Sequence, residues 1–153
     1  MNIFYLHNNP KTCAKYHTDK HVVKMILETA QMLCTAHWES GSNAPYKSTH
    51  KNHPSTKWAR ANKSNYKWLC KLGQELCKEY TYRYDKTHKT LSTIKWLSKN
   101  IPNIPNGKFT PPTLAMPIEY KSDNHVESYR NYYIKDKIHL HFWKKRNIPE
   151  FII

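Results

Sequence analysis

Polar and apolar positions alternate most informatively between His17 and Cys34, where the chain reads His-Thr-Asp-Lys-His-Val-Val-Lys-Met-Ile-Leu-Glu-Thr-Ala-Gln-Met-Leu-Cys. At about 100° per residue, His17, His21, Lys24, Glu28 and Gln31 fall within an arc of roughly 80°, with Lys20 at its edge. Val22, Val23, Met25, Ile26, Leu27, Ala30, Met32 and Leu33 occupy the rest of the circumference. An ordinary surface helix is the reverse, a broad polar face with an apolar stripe of about 100°. A helix that is apolar nearly all round is buried. Its polar stripe must then face a cavity, a ligand or a paired network, because burying such groups alone costs several kcal/mol each. The stripe therefore marks the candidate functional site.

The same pattern predicts the other elements. Residues 2–7 alternate weakly and read as a short strand or extended lead-in. Asn9-Pro10 is a cap-then-proline start for a short helix over about 10–17. The striped helix follows over about 19–38. Residues 39–45 are a loop, and 46–54 a polar, His-rich connector. Ser55 is the expected cap of a helix over about 55–70. That helix continues, or restarts near Gly73, to about Tyr84. A further short helix spans about 91–100. Five of the nine prolines fall between 101 and 117, which predicts an ordered loop. Ser122-Asp-Asn-His-Val-Glu opens a helix over about 123–135, and the segment 122–153 is aromatic and basic. The expectation is a mainly α, compact helical bundle forming one domain over 1–153, with a short extended N-terminal segment.

Composition narrows the function. The chain has 153 residues and a formal charge of +14, which attracts polyanions. Part of the lysine excess matches an AT-rich coding bias, and solubility alone is the plainer reading. The 11 Tyr and 5 Trp do not follow from solubility, and many adjoin basic residues. Aromatic faces beside cations suit base stacking between phosphate contacts. There is no transmembrane run, no secretory n- and h-region, and no C-x-x-C pair among Cys13, Cys34, Cys70 and Cys77. The cysteines are expected to be reduced. His17 and His21 at i, i+4 lack the Glu of an H-E-x-x-H zinc site.

Four constellations carry candidate chemistry. Lys24 and Glu28, one turn apart on the buried helix, form either an acid/base pair or a structural salt bridge. The connector and helix start with His50, Asn52, His53, Lys57, Trp58 and Arg60 suit phosphate, or are an ordinary loop and cap. Glu79 and Arg83 at i, i+4 suit simple pairing. Tyr129-Arg130-Asn131-Tyr132-Tyr133, followed by Lys135 and Lys137, suits stacking plus phosphate contact, or an aromatic core with a basic outer face.

Three groups of these residues carry a family resemblance: Lys20-x-x-x-Lys24-x-x-x-Glu28-x-x-Gln31-x-Leu33, then Asn52-His53-Pro54 ahead of a Trp-containing helix, then Glu79-Tyr80-x-x-Arg83. Over about 20–84 the chain resembles the small pyrimidine-dimer DNA glycosylases of phage endonuclease V type. The run Asp19–Glu28 and the C-terminal Tyr-Arg-Asn-Tyr-Tyr are also similar to phage proteins that carry the same motifs. The resemblance implies a compact helical enzyme that exposes a damaged base in double-stranded DNA and cuts its glycosidic bond. It then cleaves the abasic strand through an imine to an amine. Carried over, Glu28 is the acid/base group, with His21 beside it. The nucleophile is the Met1 amine, since Asn2 is large enough to keep the methionine, or else Lys24. An α-amine titrates near 8 against about 10.4 for lysine, so it forms imines readily. Lys20, Lys24 and Arg130 bind phosphate. His17, Gln31, His53, Asn52 and Arg83 contact the target nucleotide. Tyr129, Tyr132 and Tyr133 belong to a DNA-contacting tail.

The resulting expectation is a DNA glycosylase, with abasic-site lyase activity as an added step, acting on damaged or modified pyrimidines. It would need no metal or organic cofactor, work as a monomer, have no membrane partner and sit in the cytoplasm of an infected host cell. The alternatives are another nucleotide- or modified-base enzyme pairing Glu28 with a histidine, a nucleic-acid-binding accessory protein, and a metal-dependent nuclease built on the histidines.

Overall fold

The computed structural model describes residues 1–153 and contains six α-helices and no strand. These are α1 (Pro10–Tyr16), α2 (Asp19–Glu39), α3 (Pro54–Ala59), α4 (Lys63–Tyr84), α5 (Leu91–Lys99) and α6 (His125–Asp136). Short 3-10 turns occupy Ile118–Tyr120, Ile138–Leu140 and Glu150–Ile152. The mainly helical expectation and most element positions match.

Local chemistry sets the starts. Asn9 accepts from the N–H groups of Lys11 and Thr12, with Pro10 in the first turn. Thr18, Asn62 and Asn124 cap α2, α4 and α6 through their side chains. One expected cap moves. His53, not Ser55, caps α3, its Nδ1 accepting from Ser55 N–H at 3.0 Å with Pro54 at the first position. The expected single helix from 55 also divides earlier than Gly73. It breaks at residues 60–62, where Asn62 begins a new cap and Lys63 N–H donates to Pro105 O.

Gly73 lies inside α4 because three helices meet there. A Cβ at that position would lie 3.0 Å from Ile94 Cδ1 and 3.2 Å from Thr29 Cγ2. The missing side chain lets α2 and α5 close on α4. α2 and α4 form the central pair, α1 and α5 pack against α4, and α3 packs against α2. Residues from Ile3 to Trp143 contribute to one apolar cluster. The N-terminal segment is extended but pairs with no strand. Its Ile3, Phe4, Tyr5 and Leu6 are buried. All four cysteines are free and buried. No helix is long and apolar enough to cross a membrane.

The C-terminal segment is tied back. Trp143 Nε1 donates to Tyr16 O at 2.8 Å, and Asp19 N–H donates to Phe142 O at 2.8 Å. Arg146 grips both oxygens of Glu79, at 2.7 and 3.1 Å.

Candidate active site

The polar stripe of α2 is divided along its length. The extended N-terminal segment crosses it, and the two halves meet different neighbours. Over the first half lie Phe4 and Tyr133. His21 stacks on Phe4, ring centroids 4.2 Å apart, and its Nδ1 lies 2.7 Å from the Tyr133 hydroxyl. His17 Nδ1–H donates to Cys13 O at 2.7 Å. Burial lowers both imidazoles, His17 to about 4 and His21 to about 3, the latter helped by His17 and nearby lysine charges. Both are neutral core histidines in this structure, closed off from solvent rather than facing a nucleotide.

The second half opens. Met1 N lies 3.1 Å from Glu28 Oε1, and Lys24 Nζ lies 3.6 Å from Glu28 Oε2. The carboxylate thus has an ammonium on each side. Glu28 is 8% exposed, whereas the Lys24 side chain is 71% exposed and extends outward. A cavity of about 530 Å³ opens beside them, bordered by Gln31, Val23 and Leu27 of α2 and by His50, His88 and Lys89. A volume of that order suits one small ligand or an extruded nucleotide.

Asn2 seats the amine. Its Nδ2 donates to Ala115 O at 2.9 Å, and the Tyr129 hydroxyl lies 3.1 Å from its Oδ1. That hydroxyl accepts from Ala115 N–H and reaches Thr113 O. The proline-rich loop and α6 therefore fix the position of the N-terminus. His53 lies within electrostatic reach. Burial lowers its pKa first, the N-terminal charge and His50 lower it further, and Glu28 opposes them. Its Nδ1 is occupied as a helix cap, so the neutral ring carries its proton on Nε2.

His50 holds a left-handed backbone, φ +51°, rare for a residue with a Cβ. The turn is anchored on both sides. Thr49 exchanges hydrogen bonds with Thr35 of α2, and His50 O accepts from His53 N–H. His88 lines the same cavity with both ring nitrogens engaged, Nε2–H to Val23 O and Nδ1 from Thr90 N–H.

The expected site residues thus separate. Met1, Lys24, Glu28 and Gln31 line one cavity, His53 lies near it, and Lys20 and Asn52 are exposed. Arg83 is 0% exposed, with its guanidinium spent on Glu79, Asp19, His17 O and Lys15 O. It offers nothing to a nucleotide. Burial raises Glu79, but hydrogen bonds from Arg146 and Arg83 outweigh it and hold the carboxyl below its ordinary value. Tyr129 and Tyr133 are fully buried, so they do not form a DNA-stacking surface. Tyr132 is half-buried beneath Lys137. Arg130 donates to Leu6 O and lies over the Phe151 ring. It borders a separate cleft of about 650 Å³ with His7 and His125. Missed in the sequence were Asn2, whose partners are remote, and Lys89, which carries no local signal. His88 was also missed, whereas His50 was already part of the connector expected to suit phosphate.

A family model described as pyrimidine dimer DNA glycosylase matches residues 1–92. No curated protein and no solved structure matches the chain. The matched stretch contains every residue lining the Met1–Glu28 cavity. The loop and helix that seat Asn2 lie beyond it.

Proposed function

Because the chain belongs to the pyrimidine dimer DNA glycosylase family, we propose that it excises damaged or modified pyrimidines from duplex DNA, using the Met1 amine as nucleophile. The observation that supports this reading most is the 3.1 Å contact between Met1 N and Glu28 Oε1 at the mouth of a cavity. A nucleophile within hydrogen-bond reach of a base is the arrangement covalent catalysis needs.

Glu28 accepts a proton from the Met1 ammonium, leaving a lone pair on nitrogen. That lone pair attacks C1′ of the target deoxynucleotide. The C1′–base bond breaks and its electrons leave with the base. The C1′–O4′ bond then breaks as Glu28 hands its proton to O4′ and takes one from the nitrogen, so that the ring opens and C1′ becomes an iminium. Loss of a C2′ proton expels the 3′ phosphate and cleaves the strand. Glu28 is the proton carrier for the amine and faces the positive charge that develops at C1′. Lys24 and Lys20, on the exposed edge of the same helix, would hold the flanking phosphates. Gln31 and His53 would orient the extruded nucleotide. Met1 is favoured over Lys24 as nucleophile because its nitrogen lies closer to the carboxylate and is held by Asn2.

Borohydride trapping on abasic and ultraviolet-irradiated duplexes tests this, with the adduct mapped by peptide mass. An adduct on the Met1 peptide, abolished by acetylation of that amine, is the expected result. An adduct on Lys24, or strand cleavage with no adduct, would overturn the assignment.

A further inference from the structure

A second basic surface lies along α4 and α5. Along α4, Lys63, Lys67, Lys71, Gln74, Lys78 and Thr81 fall within an arc of about 80° that contains no acid. The four lysines span about 22 Å of helix at 1.5 Å per residue. α5 adds Lys95 and Lys99, one turn apart on a helix with no acid. Of these six lysines only Lys63 is half-buried, and only Lys78 has an acidic partner, Glu75 at 3.1 Å.

Four of these lysines border a groove between the two helices. One stretch, about 450 Å³, is lined by Lys78 and Lys95, and the next, about 320 Å³, by Lys67, Lys71 and Ser98. Gln74 lines both, so the two stretches are continuous. A uniformly lysine-rich, solvated surface would scatter its charges among acids. Here the charges are segregated onto one face.

The orientation of this face decides its use. α2 meets α4 through Thr29 against Gly73. Thr29 is about 140° around α2 from Lys24, and Gly73 is about 120° around α4 from the centre of the lysine arc. Each helix turns its polar face away from the other. The lysine arc of α4 is thus a surface distinct from the α2 stripe, and no residue lines both the groove and the cavity.

We propose that the α4–α5 groove binds a second segment of duplex DNA, of any sequence, while the Met1–Glu28 face engages its target. Duplex DNA fits because its charge, one per about 1.7 Å of axis, matches a long row of lysines with a single acidic partner, and no aromatic lines either stretch of the groove. Such a surface would let the protein pass between DNA segments without full release.

The test uses the full chain and two undamaged duplexes, one carrying a donor dye and one an acceptor. Wild type is expected to bring them together, giving energy transfer that falls with salt. A Lys67→Gln/Lys71→Gln/Lys78→Gln/Lys95→Gln variant is expected to lose that transfer at least tenfold, yet still be trapped by borohydride on one abasic duplex as wild type is. The salt slope of the second binding step should flatten by about 0.9 for each lysine that contacts a phosphate. Equal bridging by wild type and variant, or none by wild type, would overturn the proposal. Stronger competition by polyglutamate or single-stranded RNA than by duplex DNA would overturn the assigned partner. Failure of wild-type trapping alone would sink the catalytic reading and leave this one standing.

Discussion

The two halves of the α2 stripe have the same sequence character and opposite fates. His17 and His21 share an arc with Lys24, Glu28 and Gln31, yet the first pair is sealed under Phe4 and Tyr133 while the second group opens on a cavity. Periodicity reports which side of a helix is polar. It does not report what lies over that side. The covered half satisfies its polar atoms internally and contributes to stability. The open half keeps a carboxylate between two ammonium groups beside a cavity, where the proposed chemistry would take place.

The contrast is sharpest at Glu28. Glu28→Gln keeps the shape but removes the proton acceptor, and general acid–base groups contribute about 10²- to 10⁴-fold. Single-turnover strand cleavage should fall within that range, with the urea midpoint nearly unchanged. Equal loss of stability and rate would place Glu28 with the covered half.

Acid should break the covered half. His17 and His21 have folded values near 4 and 3, below the ordinary 6.5 of the unfolded chain. The unfolded state therefore binds more protons between about pH 6.5 and 4. Stability is complete above that window and is lost as pH falls through it, by up to about 1.4 kcal/mol per pH unit for each histidine. Urea unfolding between pH 7.5 and 5 measures this, and His21→Gln should reduce the slope. A flat profile would mean that the histidines are solvated.

Tyr133→Phe removes the hydroxyl that accepts from Thr18 N–H and bonds His21. Leaving those groups unpaired costs about 1–3 kcal/mol. The thermal midpoint should drop while trapping per folded molecule holds. A selective loss of trapping would tie Tyr133 to the site after all. The smallest effect belongs to Lys20→Gln, at the exposed edge of the stripe. It should flatten the salt dependence of target binding by about 0.9 if that lysine contacts one phosphate. An unchanged slope would remove it from the interface.

Much of the fold could be read from local signals. The Asn9 cap, proline placement and the α2 period located helices to within a few residues. The errors arose where distant parts of the chain intervene. The sequence left open whether the helix runs through Gly73 or restarts there; it runs through, because Thr29 and Ile94 use the missing side chain. The break lies instead at residues 60–62, ahead of Lys63, which bonds Pro105. Lys24, Glu28 and Gln31 were grouped by their shared helix face and Met1 was added only by the family resemblance, and the four line one cavity. The seat for Met1 was not legible, since Asn2 and Tyr129 are 127 positions apart. The aromatic–basic tail misled for the same reason. Tyr129 and Tyr133, one turn apart on α6, point inward, and local composition cannot tell an aromatic that stacks on a ligand from one that stacks on Phe4.

The bond between Tyr129 and Asn2 also bears on the order of synthesis. Chains emerge from the ribosome N-terminus first, and folding follows emergence. Met1 and Glu28 leave early, within the first quarter of the chain, but the residues that hold Asn2 are made more than eighty positions later. A nascent chain stalled after α5 would carry the amine and the carboxylate without the clamp that sets their distance. The pair is thus set in place only after α6 has been made, so the proposed nucleophile, first in time, would become competent late.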